Sequence, residues 1–150
     1  YKFQAPVSPH WAAELENKII DPKKLELPST QSTLVIETAG GLLVPLNRQL
    51  LQIDQINQWN LPVILVARTE LGTLNHTFLS IEALRSRGIP LLGVILNGEA
   101  HKDNPKTIEQ IGDVEVLGRL PLLDELNAKT LAEQWHKQSF GLTFKRLLQT

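Results

Sequence analysis

The sequence predicts an α/β fold, a parallel sheet with helices on both faces. Three observations carry that prediction. Near-continuous apolar runs such as "TLVI", "PVILVA" and "LLGVIL" are bounded by polar turn residues, the pattern of strands buried on both faces. Between them lie segments whose leucines and isoleucines recur at helical spacing. The two kinds of segment alternate, which implies right-handed crossovers between parallel neighbours. In sheets of this kind ligands bind just beyond the carboxyl ends of the strands. Here those ends carry Glu37, the segment from Arg68 to Glu70, and Asn97.

Taken in order, the first 32 residues are rich in proline and charge, and Pro6, Pro9, Pro22 and Pro28 interrupt any long helix. "SPHWAAELEN" fits a short helix with Ser8 as N-cap and Pro9 at its first position, placing Trp11 and Leu15 on one face. A first strand is expected over residues 33–36. Residues 47–59 read as an amphipathic helix, with Leu50, Ile53 and Ile56 following Leu46. The second strand covers 62–67. A helix over 73–87 sets Leu74, Phe78, Ile81 and Leu84 near one face, and Gly88 closes it. The third strand covers 91–96, a short helix 105–111 and a fourth strand 115–120, with two further helices to finish. There is no internal repeat and no low-complexity segment.

At 150 residues and 16.8 kDa the chain suits a single α/β domain over residues 1–150 with one core. A formal charge of -1, from 15 basic and 16 acidic residues, lacks the dense positive footprint of nucleic-acid binding and suits a small partner. Without cysteine there is no disulfide framework and no thiolate zinc site. No apolar run approaches the ~20 residues that span a bilayer, and nothing resembles a signal peptide, so a cytoplasmic protein is expected. The chain has no methionine and begins at Tyr1, from which it is expected to be a piece of a longer product.

Three places could carry chemistry. Glu37 ends an apolar run and precedes Thr38, Ala39, Gly40 and Gly41. A carboxylate there can hold magnesium, a hard cation that prefers oxygen and bridges to nucleotide phosphates, and paired glycines let backbone approach a ligand. An ordinary exposed acid beside a turn is the alternative. In "TELGTLNH", Gly72, Thr73, Leu74 and Asn75 open a helix whose free amides and dipole favour an anion. Every helix has such an end, however, and Thr73 is also an ordinary N-cap candidate. Asn97 can present one donor and one acceptor to a base edge, or simply form an Asn-Gly turn with Gly98. The histidines, His10, His76, His101 and His136, have no metal-ligand spacing, and no serine sits in a nucleophile elbow. Trp11, Trp59 and Trp135 read as packing residues.

Taken together, "YKFQAPVSPHWAAELE", "VIETAGGLLVPLN", "LPVILVARTELGTLNHTFLSIEALRSRGIPLLGVILNG" and "VLGRLPLL" resemble the dethiobiotin synthetases. The likeness covers most of residues 1–123 and is most specific over 61–98. It implies a P-loop nucleotide-binding fold with a parallel sheet, working as a homodimer whose active site lies at the subunit interface. It implies the conversion of diaminopelargonic acid, CO2 and ATP into dethiobiotin, ADP and phosphate, through a carbamate phosphorylated before ring closure. By the resemblance Glu37 is the Mg2+ ligand, and Gly40 and Gly41 lie beside the phosphates and substrate. Gly72, Thr73, Leu74 and Asn75 receive the substrate's distal carboxylate from the partner subunit. Asn97 contacts adenine, with Pro121 and Leu123 as an apolar segment beside the base.

Two departures stand out. Thr38 occupies a position where the family commonly has glycine. No G-x-x-x-x-G-K-S/T phosphate loop occurs in the chain, so the family's P-loop, its lysines and its metal-binding aspartate are expected upstream, and the isolated chain is expected to be inactive. The competing readings are a synthetase of the cobyrinic acid amidotransferase type and a noncatalytic ligand-binding or dimerisation module without a P-loop.

Overall fold

Three of the four expected strands form a sheet. The computed structural model describes residues 1–149, and the chain divides into two compact units, Tyr1–Leu61 and Pro62–Thr150.

The sheet belongs to the second unit. β1 (Val63–Arg68), β2 (Leu91–Asn97) and β3 (Val116–Leu120) are parallel and lie in the order β1-β2-β3. α3 (Thr73–Arg85) connects β1 to β2, and α4 (Asn104–Gly112) connects β2 to β3. Ala67, Val94, Leu96 and Ile108 form the buried cluster where these helices meet the sheet, flanked by Leu65, Leu74, Val114 and Val116. Because strand side chains alternate, Ile95 and its register partner Gly118 belong to the opposite face. There α6 (Phe140–Leu147) sets Phe140 so close that a Cβ on Gly118 would lie 2.6 Å from its ring. Trp135, from α5 (Ala128–Lys137), completes an aromatic triad, its ring 5.8 Å from Phe140 and 5.2 Å from Phe144 in a stacked arrangement. Both faces therefore carry helices. On the second face the cover lies over β3, and Val66 of β1 stays 61% exposed.

α3 stops two residues short of the expected end. Ile89 N–H donates to Leu84 C=O at 3.0 Å and Gly88 N–H to Arg85 C=O at 3.0 Å, with Gly88 at φ +66°. This 6→1 and 5→2 pair is a Schellman closure, and it needs the left-handed residue that glycine supplies.

In the first unit, α1 (Pro9–Leu15) and α2 (Gln52–Trp59) are joined by a long irregular stretch with a 3-10 turn at Pro22–Lys24. Ala13, Ile20 and Leu46 pack with Phe3, Leu25 and Leu50. Ser8 stands at the N-cap of α1, yet its side chain makes no capping bond. The helix buries Ala12 and Ala13, leaving Trp11 and Leu15 largely exposed. α2 starts at Gln52 and not at residue 47, because Leu46 N–H donates to Leu50 C=O at 2.8 Å and closes a turn. Asp54 then accepts from Leu51 N–H at 3.0 Å, capping the helix from within.

Residues 33–36 were expected as a strand and form none. A strand needs a neighbour to take up its N–H and C=O groups. Among the described residues no ladder includes this segment, and Val35 is 85% exposed.

Two charge pairs tie this unit together. Arg48 Nε and Nη2 donate to the two carboxylate oxygens of Glu14 at 2.7 and 2.8 Å, and this bidentate contact lowers the Glu14 pKa and raises that of Arg48. Glu16 is lowered in the same way, first by Lys18 and then by Gln4 N–H.

Candidate functional site

At the carboxyl edge of the sheet, parallel register sets Arg68, Asn97 and Leu120 side by side at the ends of β1, β2 and β3. Adjacent strands lie about 4.8 Å apart, so these residues form a short row on one face. Asn97 is exposed and is the last residue of β2. The chain turns after it, at Gly98, with φ +134° and its N–H donating to Leu120 C=O at 2.9 Å. Pro121 follows Leu120 directly, and both Pro121 and Leu123 are half-buried. The structure thus brings Asn97 and the residues after β3 together.

Four residues after β1, α3 begins. Gly72, not Thr73, is its N-cap, with φ +94° and no side-chain capping bond. Thr73 is buried, and its hydroxyl donates to Arg68 C=O at 2.5 Å. That corrects the capping role: the loop brings a strand carbonyl within reach, and the hydroxyl binds it instead of reaching along its own helix. Thr73 N–H donates to Glu70 C=O at 3.1 Å. The next two amides, of Leu74 and Asn75, have no hydrogen-bond partner among the described residues. Two adjacent free N–H groups at the positive end of a helix can donate to a carboxylate or phosphate oxygen. Asn75 is exposed there, while Leu74 also packs against the core cluster.

Glu37, Gly40 and Gly41 lie in the other unit. Glu37 is exposed, and its carboxylate has no hydrogen bond or ion pair among the described residues. Gly40 takes φ +98°, with its N–H bonded to Thr38 C=O at 3.0 Å, and the Thr38 hydroxyl donates to Gly40 C=O at 3.2 Å. The Thr38 side chain is therefore held by a bond within the turn. Among the described residues no group of three or more histidine, cysteine, aspartate or glutamate side chains is placed to hold a metal. The donor set here is one uncommitted carboxylate, which suits Mg2+ in its usual phosphate-bridging form, with one or two carboxylates and several waters.

Several supporting residues carried no signal in the sequence. The Thr69 carbonyl accepts from buried Asn104 at 3.3 Å, Arg119 Nη1 donates to Gly98 C=O at 2.6 Å, and the carboxamide of Gln52 grips the turn after Glu37. His101 Nδ1 accepts from the N–H groups of Asp103 and Asn104 at 3.2 and 3.1 Å, serving the start of α4 as an N-cap side chain would.

A family profile described as an AAA domain matches residues 1–130. The chain is 51% identical over 131 residues to the ATP-dependent dethiobiotin synthetase BioD of Rhodopseudomonas palustris (strain BisB5), covering 87% of the chain and 62% of that protein. It is 50% identical over 141 residues to the protein of the same name from R. palustris strain BisB18, covering 94% and 67%. A Brucella ovis protein of that name is 49% identical over 145 residues, covering 94% and 68%. The chain thus spans about two thirds of the length of these curated relatives.

Proposed function

The chain belongs to the dethiobiotin synthetase family, and on that premise we propose that the protein containing these residues makes dethiobiotin from diaminopelargonic acid, CO2 and ATP. One amine of the substrate takes up CO2 as a carbamate, and the γ-phosphoryl group of ATP transfers to a carbamate oxygen, releasing ADP. The second amine attacks the carbamoyl carbon, and phosphate leaves as the ring closes.

The observation that carries the reading is the pair of unpartnered amides of Leu74 and Asn75, in a chain about half identical to proteins named for this reaction. Under the proposal these amides, with Gly72 and Thr73 shaping the loop, hold the distal carboxylate of diaminopelargonic acid from the partner subunit of a homodimer. Asn97 reads the adenine edge, and Pro121 and Leu123 pack beside the base. Glu37 is the carboxylate ligand of Mg2+, and Gly40 and Gly41 admit the phosphates and substrate close to the backbone. Bound there, Mg2+ would neutralise charge developing on the transferring phosphoryl group. The phosphate loop is assigned to sequence outside these 150 residues, which alone are proposed to be inactive. The enzyme is proposed to work in the cytoplasm; among the described residues no helix is long and apolar enough to cross a membrane.

The test is dethiobiotin formation by the complete gene product with diaminopelargonic acid, bicarbonate, ATP and Mg2+. Wild type should turn over, and Glu37→Gln should keep the fold and lose most turnover. A complete product that forms no dethiobiotin refutes the function, and a Glu37→Gln variant with wild-type turnover at limiting Mg2+ refutes the metal assignment.

A further inference from the structure

Glutamine at the first position of a helix ordinarily faces water. Gln52, the first residue of α2, is only 5% exposed. Its carboxamide reaches back to the turn after Glu37. Ala39 N–H donates to Oε1 at 3.1 Å, while Nε2 donates to Ala39 C=O at 2.9 Å and to Gly41 C=O at 3.2 Å. One side chain therefore uses an acceptor and both donor hydrogens, and for Ala39 it supplies the pair of bonds that a neighbouring strand would make. The main chain grips the same loop. Gln52 N–H donates to Val44 C=O at 2.9 Å and Ile53 N–H to Leu42 C=O at 2.8 Å, so the loop carbonyls satisfy two free amides of the helix start. Gly40, at φ +98°, sits between the two residues held by the carboxamide.

We infer that Gln52 is a positioning residue for the proposed magnesium and phosphate turn, holding Ala39 to Gly41 in one shape so that Glu37 and the paired glycines face the ligand together. This rests on the reading of Glu37 and the glycines given above. Gln52 touches neither metal nor substrate; it acts through the backbone it binds. Without the carboxamide, the Ala39 N–H and C=O lose their partner, Gly41 C=O keeps only the Val44 N–H at 3.1 Å, and the loop leaves its binding-competent shape for part of the time. Apparent metal affinity then falls by the competent fraction.

Gln52→Met keeps length and volume and removes all three bonds. In the 150-residue chain, amide exchange at Ala39 should quicken about tenfold, the effect of losing a part-buried hydrogen bond and its neighbours, while the interior of α2 keeps its protection. In the complete gene product the Mg2+ concentration for half-maximal turnover should rise severalfold. Mn2+ added with ATP should broaden the Gly40 and Gly41 amide signals less than in wild type. If Gln52→Met fails to fold, Gln52→Glu, which keeps the acceptor and loses the donors, takes its place. Unchanged exchange at Ala39 overturns the inference, as does faster exchange with unaltered Mg2+ half-saturation and Mn2+ broadening, which would make the glutamine a stabiliser alone. A wild-type protein without turnover that still shows the broadening sinks only the proposed reaction. Absence of broadening in wild type sinks the metal site and the inference with it.

Discussion

Replacing Gly98 with alanine tests whether the end of β2 is held by a close approach that only glycine permits. Gly98 has φ +134°, a conformation that residues with a Cβ rarely adopt, and a Cβ there would overlap the buried Thr69 hydroxyl, with Thr69 N and Cβ at 3.6 Å. The backbone contribution is about 1–3 kcal/mol. The steric part is also about 1–3 kcal/mol, since the threonine can escape only by leaving its preferred rotamer or shifting the β1 end. Together they give roughly 2–6 kcal/mol; at a urea dependence of about 2 kcal/mol per molar, the unfolding midpoint of the 150-residue chain should fall by about 1–3 M. Thr69→Ala removes the overlapped atom and leaves the backbone strain. The double variant should therefore be more stable than the sum of the single effects by about 1–3 kcal/mol. Urea titration followed by far-ultraviolet circular dichroism, on the two single variants and the double, supplies all the terms. A loss below about 0.5 kcal/mol for Gly98→Ala, or no coupling with Thr69→Ala, would refute the close-approach argument.

Asn97→Ala should weaken nucleotide binding by the complete product by about 1–2 kcal/mol for one lost hydrogen-bonding group, read by calorimetry, while thermal stability stays near wild type because the side chain is exposed. Asn75→Asp adds a carboxylate in the first turn of α3, where the dipole favours it, so the helix should hold; the same charge should raise the Michaelis constant for diaminopelargonic acid and leave that for ATP nearly unaltered. Equal effects on both substrates would count against a carboxylate site at the Leu74 and Asn75 amides. For pH, the folded-state pKa of Glu14 is lowered, chiefly by its bond to Arg48, so the pair stabilises the fold above the ordinary glutamate value and the contribution is lost as pH falls through the lowered one. Glu14→Gln should flatten the acid side of the stability profile, and an unchanged profile would show the pair to be inert.

The sheet was legible wherever apolar runs are long enough to be buried on two faces. Residues 62–67, 91–96 and 115–120 became β1 to β3 within a residue at either end. The run at 33–36 reads the same way but forms no strand, because apolar character does not supply a hydrogen-bonding neighbour. The start of α3 was legible as a helix entry with free amides. That Thr73 would spend its hydroxyl on the Arg68 carbonyl was not, since the bond depends on how the loop folds back. Gln52 was invisible for a related reason. In a helix read over 47–59 a glutamine at 52 looks like surface, and only the tertiary path of the loop buries it.

The aromatic triad against β3 gives the second unit an optical signature of its own. Trp11 and Trp59 lie in the first unit, so Trp135 is the single indole of the second, held 5.2 Å from the Phe144 ring with 23° between their planes. Rings locked in such fixed asymmetry produce near-ultraviolet dichroism that averages away once they can rotate, even where helices persist. A Trp11→Phe, Trp59→Phe background would leave Trp135 as a lone chromophore, and its dichroic band would report whether α5 and α6 are docked on the sheet, independently of how much helix the chain retains.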